Sequence, residues 1–454
     1  MPDHDSSPGS EDPLEALRKL FRNLGLPENM DVNDAEARTD LFRTMMSRLM
    51  PMGGIASPEE TVWTTAQQTA RHVVANLGPD PSGSSRAARR VADAVHLSDL
   101  WLSEATILPP ITQPPAVWSR AEWIEASLPA WKSMIEPVVQ VLSAGIADAT
   151  GRSVDLPESG EMAGLTAMLH PLMSRAVSAM FGAHVGESIG WAATATMTGT
   201  DLGLPVLPRA QVIVLPTNLS AIEQQAELDE ESLLMFCALR ESARQRLFKE
   251  IGWIAPQIIA LVQHYAREMR VDPDAIASAM HSAVPDQLSP ESVAAFQNEF
   301  AAILFTPEHT EEQTHIIERL STLLALVEGW VEDVTTDVAR RWLPDWEALW
   351  ESLRRNRATS KLTQSSVTSL IGLRASPKAI REAAGFWAAM REARGVEGRD
   401  DIWHHPESMP QAEHIAQPAT YLDQPDASAD SWDDELRRLL DGDSADDTPD
   451  SPQP

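Results

Sequence analysis

The sequence predicts a mainly α fold with a very small sheet. Two observations carry that prediction. Apolar residues recur at helical spacing along most of the chain, and N-cap residues stand in front of several of these runs. Only one stretch, Gln211-Val-Ile-Val-Leu215, has the short, β-branched, proline-bounded character of a strand.

Residues 1–13 carry no periodic apolar pattern and are expected to be disordered. Leu14, Leu17, Leu20 and Phe21 line one side of a short helix over 14–26. Met45, Met46, Leu49 and Met50 close a second, so 14–54 reads as a helical extension. Ser57-Pro58-Glu59-Glu60 opens the next helix, with Pro at N1 and the partners of a capping box. That helix runs to Gly78. A loop over 79–85 precedes a helix over 86–105, and a proline-rich connector fills 109–115. Ser119 and Glu122 form a second capping box, opening a helix to about residue 149. Trp118, Trp123 and Trp131 near its start are assigned to the core.

Gly182, Gly186 and Gly190 recur every four residues, a spacing that lets another helix backbone approach closely. His170 and His184 in the same region read as structural. Further helices are expected over 255–270, 272–283, 290–304, 311–341, 346–355 and 377–393. Leu320, Leu324, Val327, Val331 and Val334 form a stripe on the fourth of these, and Glu328 adjoins it. From about residue 423 the chain is acidic and rich in Asp, Ser and Pro, which predicts a disordered tail with one amphipathic element over 432–440. One domain over 55–422 remains.

The net charge of −31 argues against nucleic acid and anionic membranes as partners. The single cysteine, Cys237, excludes an intramolecular disulfide and a cysteine-based zinc knuckle. The first residues are acidic and polar, unlike a signal peptide. The longest apolar run, near 172–197, is interrupted by Arg175 and Glu187. The cytoplasm is therefore the expected compartment.

The centre of the chain is the helix expected over 233–248, which reads as a buried helix that carries charge on its inner face. Asp229 suits its N-cap, with Glu230 and Glu231 in the first turn. Leu233, Phe236, Cys237, Arg240, Glu241, Arg244 and Phe248 share one face at this spacing. Charges among apolar neighbours require partners. The frame Arg240-Glu241-Ser242-Ala243-Arg244 aligns with His-Glu-x-x-His, in which two histidines hold zinc and the glutamate is general base. Arginine has no lone pair to give a cation. The remaining histidines do not restore the pattern: the adjacent His404 and His405 point apart on a regular element, and His264 with Glu268 is a lone i, i+4 pair.

Segments from about Trp63 to Leu422 carry a wider likeness. They include Trp118-Ser-Arg-Ala-Glu-Trp-Ile-Glu-Ala-Ser-Leu-Pro-Ala-Trp131, Thr200-Asp-Leu-Gly-Leu-Pro205 and Ala238-Leu-Arg-Glu-Ser-Ala-Arg-Gln-Arg-Leu-Phe248. Leu323-Leu-Ala-Leu-Val-Glu-Gly-Trp-Val331 and Ala393-Arg-Gly-Val-Glu-Gly-Arg-Asp400 complete them. In these the chain resembles the actinobacterial zinc-dependent metalloprotease or hydrolase family, a zincin-like domain of unknown function. The resemblance implies a zinc cofactor and places Glu241 at the general-base position. It places Glu328 at the third-ligand position, in a Glu-Gly-His segment where Trp330 replaces the histidine. Arg240 and Arg244 occupy the two histidine positions, so zinc is expected to be absent or weakly held here. It also implies that the strand at 211–215 offers an edge to extended peptide.

The expected outcome is a salt-bridge cluster, Arg240 or Arg244 with Glu328 and Glu241, in place of the metal, on a catalytically impaired zincin-like scaffold. One alternative is an active hydrolase using Glu241 with a non-standard metal site or none, or Cys237 as nucleophile. Another is a partner-binding adaptor that uses the Met-rich N-terminal segment and the acidic tail. The expected partner is a peptide or protein, and no substrate-binding residue is assigned.

Overall fold

The computed structural model describes residues 57–152, 161–269, 310–343, 345–359 and 376–423. The helices expected over 14–26, 45–50, 272–283 and 290–304, the element at 432–440 and the acidic tail lie outside them. The chain divides into Met1–Ser57 and Pro58–Pro454, and every element below belongs to the second unit.

Among the described residues there are twelve α-helices and one two-stranded sheet. In order they are α1 (Pro58–Ala75), α2 (Ser85–Leu102), β1 (Ala116–Val117), α3 (Arg120–Arg152) and α4 (Glu161–Ala195). Then come β2 (Ile213–Val214), α5 (Pro216–Ala226), α6 (Glu230–Glu250), α7 (Ile254–Arg267) and α8 (Glu311–Trp342). The last are α9 (Trp346–Thr359), α10 (Pro377–Asp401), α11 (Ala412–Ala416) and α12 (Pro418–Leu422). None of these helices is long and apolar enough to cross a membrane.

Local chemistry sets several of the boundaries. The Ser119 amide donates to the Glu122 carboxylate at 2.7 Å, and the Glu122 amide donates to Ser119 Oγ at 3.2 Å. Asp229 accepts from the Ser232 amide at 2.9 Å and caps α6. A further capping box, Thr310 with Gln313, opens α8. Within α10 the backbone leaves helical geometry at Gly395, at φ 74° and ψ −179°, so the helical segment from Pro377 ends close to the expected 393 and a second one follows it. α5, which the periodicity did not single out, starts on Pro216 at its first turn.

The glycine spacing on α4 does what it predicts. A Cβ on Gly186 would lie 2.2 Å from the Ala66 carbonyl oxygen, and one on Gly182 2.4 Å from that of Val62, so α1 and α4 pack backbone to backbone. Trp123 and Trp131 are buried in the core. α6 is the buried helix that its sequence predicts, and its burial extends beyond the charge-bearing face. α2, α5, α8 and the sheet surround it, and every residue from Leu233 to Leu247 is buried.

The sheet corrects the expectation of a free edge strand. β1 and β2 pair in parallel, with Ala116 opposite Ile213 and Val117 opposite Val214. The other edge of β2 is also taken, by residues 197–199. Gly199 donates to the Ile213 carbonyl at 3.0 Å, and Leu215 donates to that of Met197 at 2.9 Å. The strand within 211–215 is therefore a middle strand, with no free edge for an extended peptide. β1 was hidden in the sequence because Pro114 and Pro115 stand directly before it and argue against a strand.

Candidate functional site

The packing of α6 against α8 brings together the four residues singled out on them. Arg244 and Glu328 form a two-pronged pair: Nε donates to Oε1 at 2.7 Å and Nη2 to Oε2 at 3.0 Å. Arg240 adds Nη2 to Glu328 Oε2 at 2.9 Å. The remaining arm of Arg244, Nη1, donates to Glu241 Oε2 at 3.0 Å. One guanidinium thus bridges both carboxylates, a geometry its planar fork suits. Arg244 and Glu241 are 0% exposed, Arg240 4% and Glu328 7%, so the cluster is shut away from solvent.

Residues 197–203 close the inner side. Glu241 accepts from Thr198 Oγ1 at 2.8 Å, the Thr200 amide at 3.1 Å, Thr200 Oγ1 at 2.9 Å and Gln245 Nε2 at 2.9 Å. Two glycines let the chain pass this close. A Cβ on Gly199 would lie 3.2 Å from Glu241 Oε1, and one on Gly203, whose φ is +74°, 3.4 Å from Glu328 Oε1. Neither these threonines nor Gln245 was picked out from the sequence. Thr200 and Gly203 do lie in one of the quoted family segments, which was the available signal.

On the outer side the Arg240 guanidinium lies 4.6 Å from the Trp350 ring centroid and 5.8 Å from that of Phe236. Trp330, expected at a histidine position beside the metal, turns the other way. Its indole donates to Asp400 at 2.9 Å in a separate buried network with Arg399 and Thr106.

Burial pushes the Glu241 carboxyl above its usual range, against the pull of Arg244, Gln245, Thr198 and Thr200. Burial alone would lower Arg244, but Glu328 and Glu241 outweigh it and hold the guanidinium above its ordinary value. Arg244 is therefore a fixed cation.

These residues do not fit a zinc ion. Arg240 and Arg244 have no lone pair to give a cation, and the carboxylates of Glu328 and Glu241 are already engaged by Arg244. Among the described residues no group of three His, Cys, Asp or Glu side chains could hold a metal. Cys237 is buried, with Sγ 3.9 Å from Met197 Sδ. His405 lies between Asp401 and Glu407.

A mainly helical domain, with a buried charge-bearing helix facing a glutamate on a later helix, is the class of protein defined here. The chain belongs to the zincin-like metallopeptidase family, whose model matches residues 62–422. It is also similar to a crystal structure from Chloroflexus aurantiacus described as "a putative hydrolase with a novel fold". The two share 18% identity at a TM-score of 0.51, covering 79% of this chain and 97% of that one. What they share at that identity is the fold. No curated protein matches the chain.

Proposed function

We propose that this chain is a zincin-like scaffold of hydrolase descent whose zinc-dependent hydrolysis is impaired or lost, leaving peptide or protein binding as its function. The observation that carries this reading is the single Arg244 guanidinium bridging Glu328 and Glu241, where the resemblance would put the metal. A fixed organic cation there supplies the positive charge a metal would bring. It has no open coordination site and does not activate water.

A hydrolase using Glu241 alone is the second reading, and its upward shift is the observation in favour. The geometry opposes it. The carboxylate is fully buried, and the Thr200 amide, the Gln245 amide and Arg244 all point donors at it. A general base needs a free lone pair facing a substrate proton.

Metal content, measured by elemental mass spectrometry, tests the proposal. The native chain is expected to carry no zinc, and the Arg240→His/Arg244→His variant to take up about one zinc per chain. Stoichiometric zinc in the native protein would overturn it.

A further inference from the structure

The first turns of α6, ahead of the arginine cluster, border a cavity. It measures about 70 Å³ and lies between α2, β2, α5 and α6. Val91, Val214, Leu219, Leu233 and Leu234 line it, and all five are buried. Its polar lining is Arg90 of α2, Ser220 and Glu223 of α5 and Glu230 of α6. Arg90 Nη1 pairs with Glu230 Oε1, and both side chains reach solvent. The aliphatic residues are therefore the floor and the charged ones the mouth.

Size and charge together select an occupant. The volume is less than half of the ~150 Å³ that holds a benzene ring, so the floor takes a short aliphatic group and not an aromatic one. The mouth carries one cation and two carboxylates. Arg90 is engaged by Glu230. Glu223 is partly buried, and among the described residues its carboxylate has no ion pair and no hydrogen bond. A desolvated carboxylate beside an apolar floor attracts a cation and repels an anion. Ser220, one turn before it on α5, supplies a hydroxyl acceptor to the same mouth.

We propose that this cavity binds a primary alkylammonium, with an isobutyl-sized aliphatic body on the floor and the ammonium at Glu223 in the mouth. Two sources carry that chemistry: a free aliphatic amine, and the N-terminal residue of a peptide whose first side chain is aliphatic. The site shares no residue with the arginine cluster, so it does not depend on whether zinc-dependent hydrolysis is lost.

Saturation-transfer NMR and calorimetric titration of the full chain test it, at about pH 6.5, where an α-amine is charged. Isoamylamine and leucinamide are the probes, one for each source. Binding of isoamylamine assigns free amines to the site, and binding of leucinamide alone assigns the peptide N-terminus. Alaninamide leaves the floor empty and should bind about tenfold more weakly than leucinamide, or worse. Glu223→Gln should weaken the bound probe about fivefold. Ala87→Leu fills the cavity from α2 and keeps every charge, so it should abolish binding while the circular dichroism melt stays native. Failure of both amines to bind overturns the proposal, as does isovalerate binding as tightly as isoamylamine. Unchanged affinity in Glu223→Gln overturns it too. So does binding that survives in Ala87→Leu, which would report only the general pull of a chain of net charge −31 on cations.

Discussion

Replacing Glu328 by Gln removes the negative charge that Arg240 and Arg244 share. Three hydrogen bonds of 2.7–3.0 Å converge on that carboxylate, from groups no more than 7% exposed. After the substitution both buried guanidinium groups lose the carboxylate they share, and Arg244 keeps its bond to Glu241. Removing one partner of a buried pair costs about 3–5 kcal/mol, because the charge left behind stays desolvated. The exposed pair Arg71–Glu125, with side chains 53% and 40% exposed, is an internal control. Glu125→Gln should cost about 0–1 kcal/mol. Urea unfolding of the two variants beside the native chain, followed by far-ultraviolet circular dichroism, measures both. Arg244→Met/Glu328→Leu should recover much of the loss, since apolar replacement of a buried ion pair is often neutral or stabilising. If Glu328→Gln unfolds within about 0.5 kcal/mol of the native chain, the cluster does not hold α6 to α8 and the reasoning fails.

Gly186→Ala drives a Cβ to 2.2 Å from the Ala66 carbonyl and should cost about 1–3 kcal/mol, read from its unfolding midpoint. Because Cys237 is buried against Met197, it should resist alkylation in the native chain and react freely in denaturant. For the same reason Cys237→Ser should leave any measured hydrolysis unchanged, and loss of hydrolysis in that variant would reinstate the cysteine as a nucleophile.

Much of the fold is legible in local chemistry. The capping pairs at Ser119 and Asp229 act over three residues, and the glycine repeat on α4 and the apolar stripe of α8 follow helical periodicity. These are interactions between residues close along the chain, and each acts before any tertiary contact forms. The elements that were missed need neighbours. β1 exists because β2 lies beside it, and its prolines argue against a strand when read alone. The strand within 211–215 was visible, but its place in the sheet was not. Whether an edge is free depends on residues 197–199 reaching its far side.

The candidate site divides in the same way. By itself the sequence determined that Arg240, Glu241 and Arg244 share a helix face, that the two arginines cannot ligate a cation, and that Glu328 adjoins an apolar stripe. Those statements need only residue chemistry and the helical repeat. Tertiary structure decided which arginine takes which carboxylate, because that depends on how α6 crosses α8. It turned Trp330 toward Asp400, since the indole found an acceptor on α10. It also brought Thr198, Thr200 and Gln245 onto Glu241 and set α9 over Arg240, contacts that arise where long-range packing removes water from a charge.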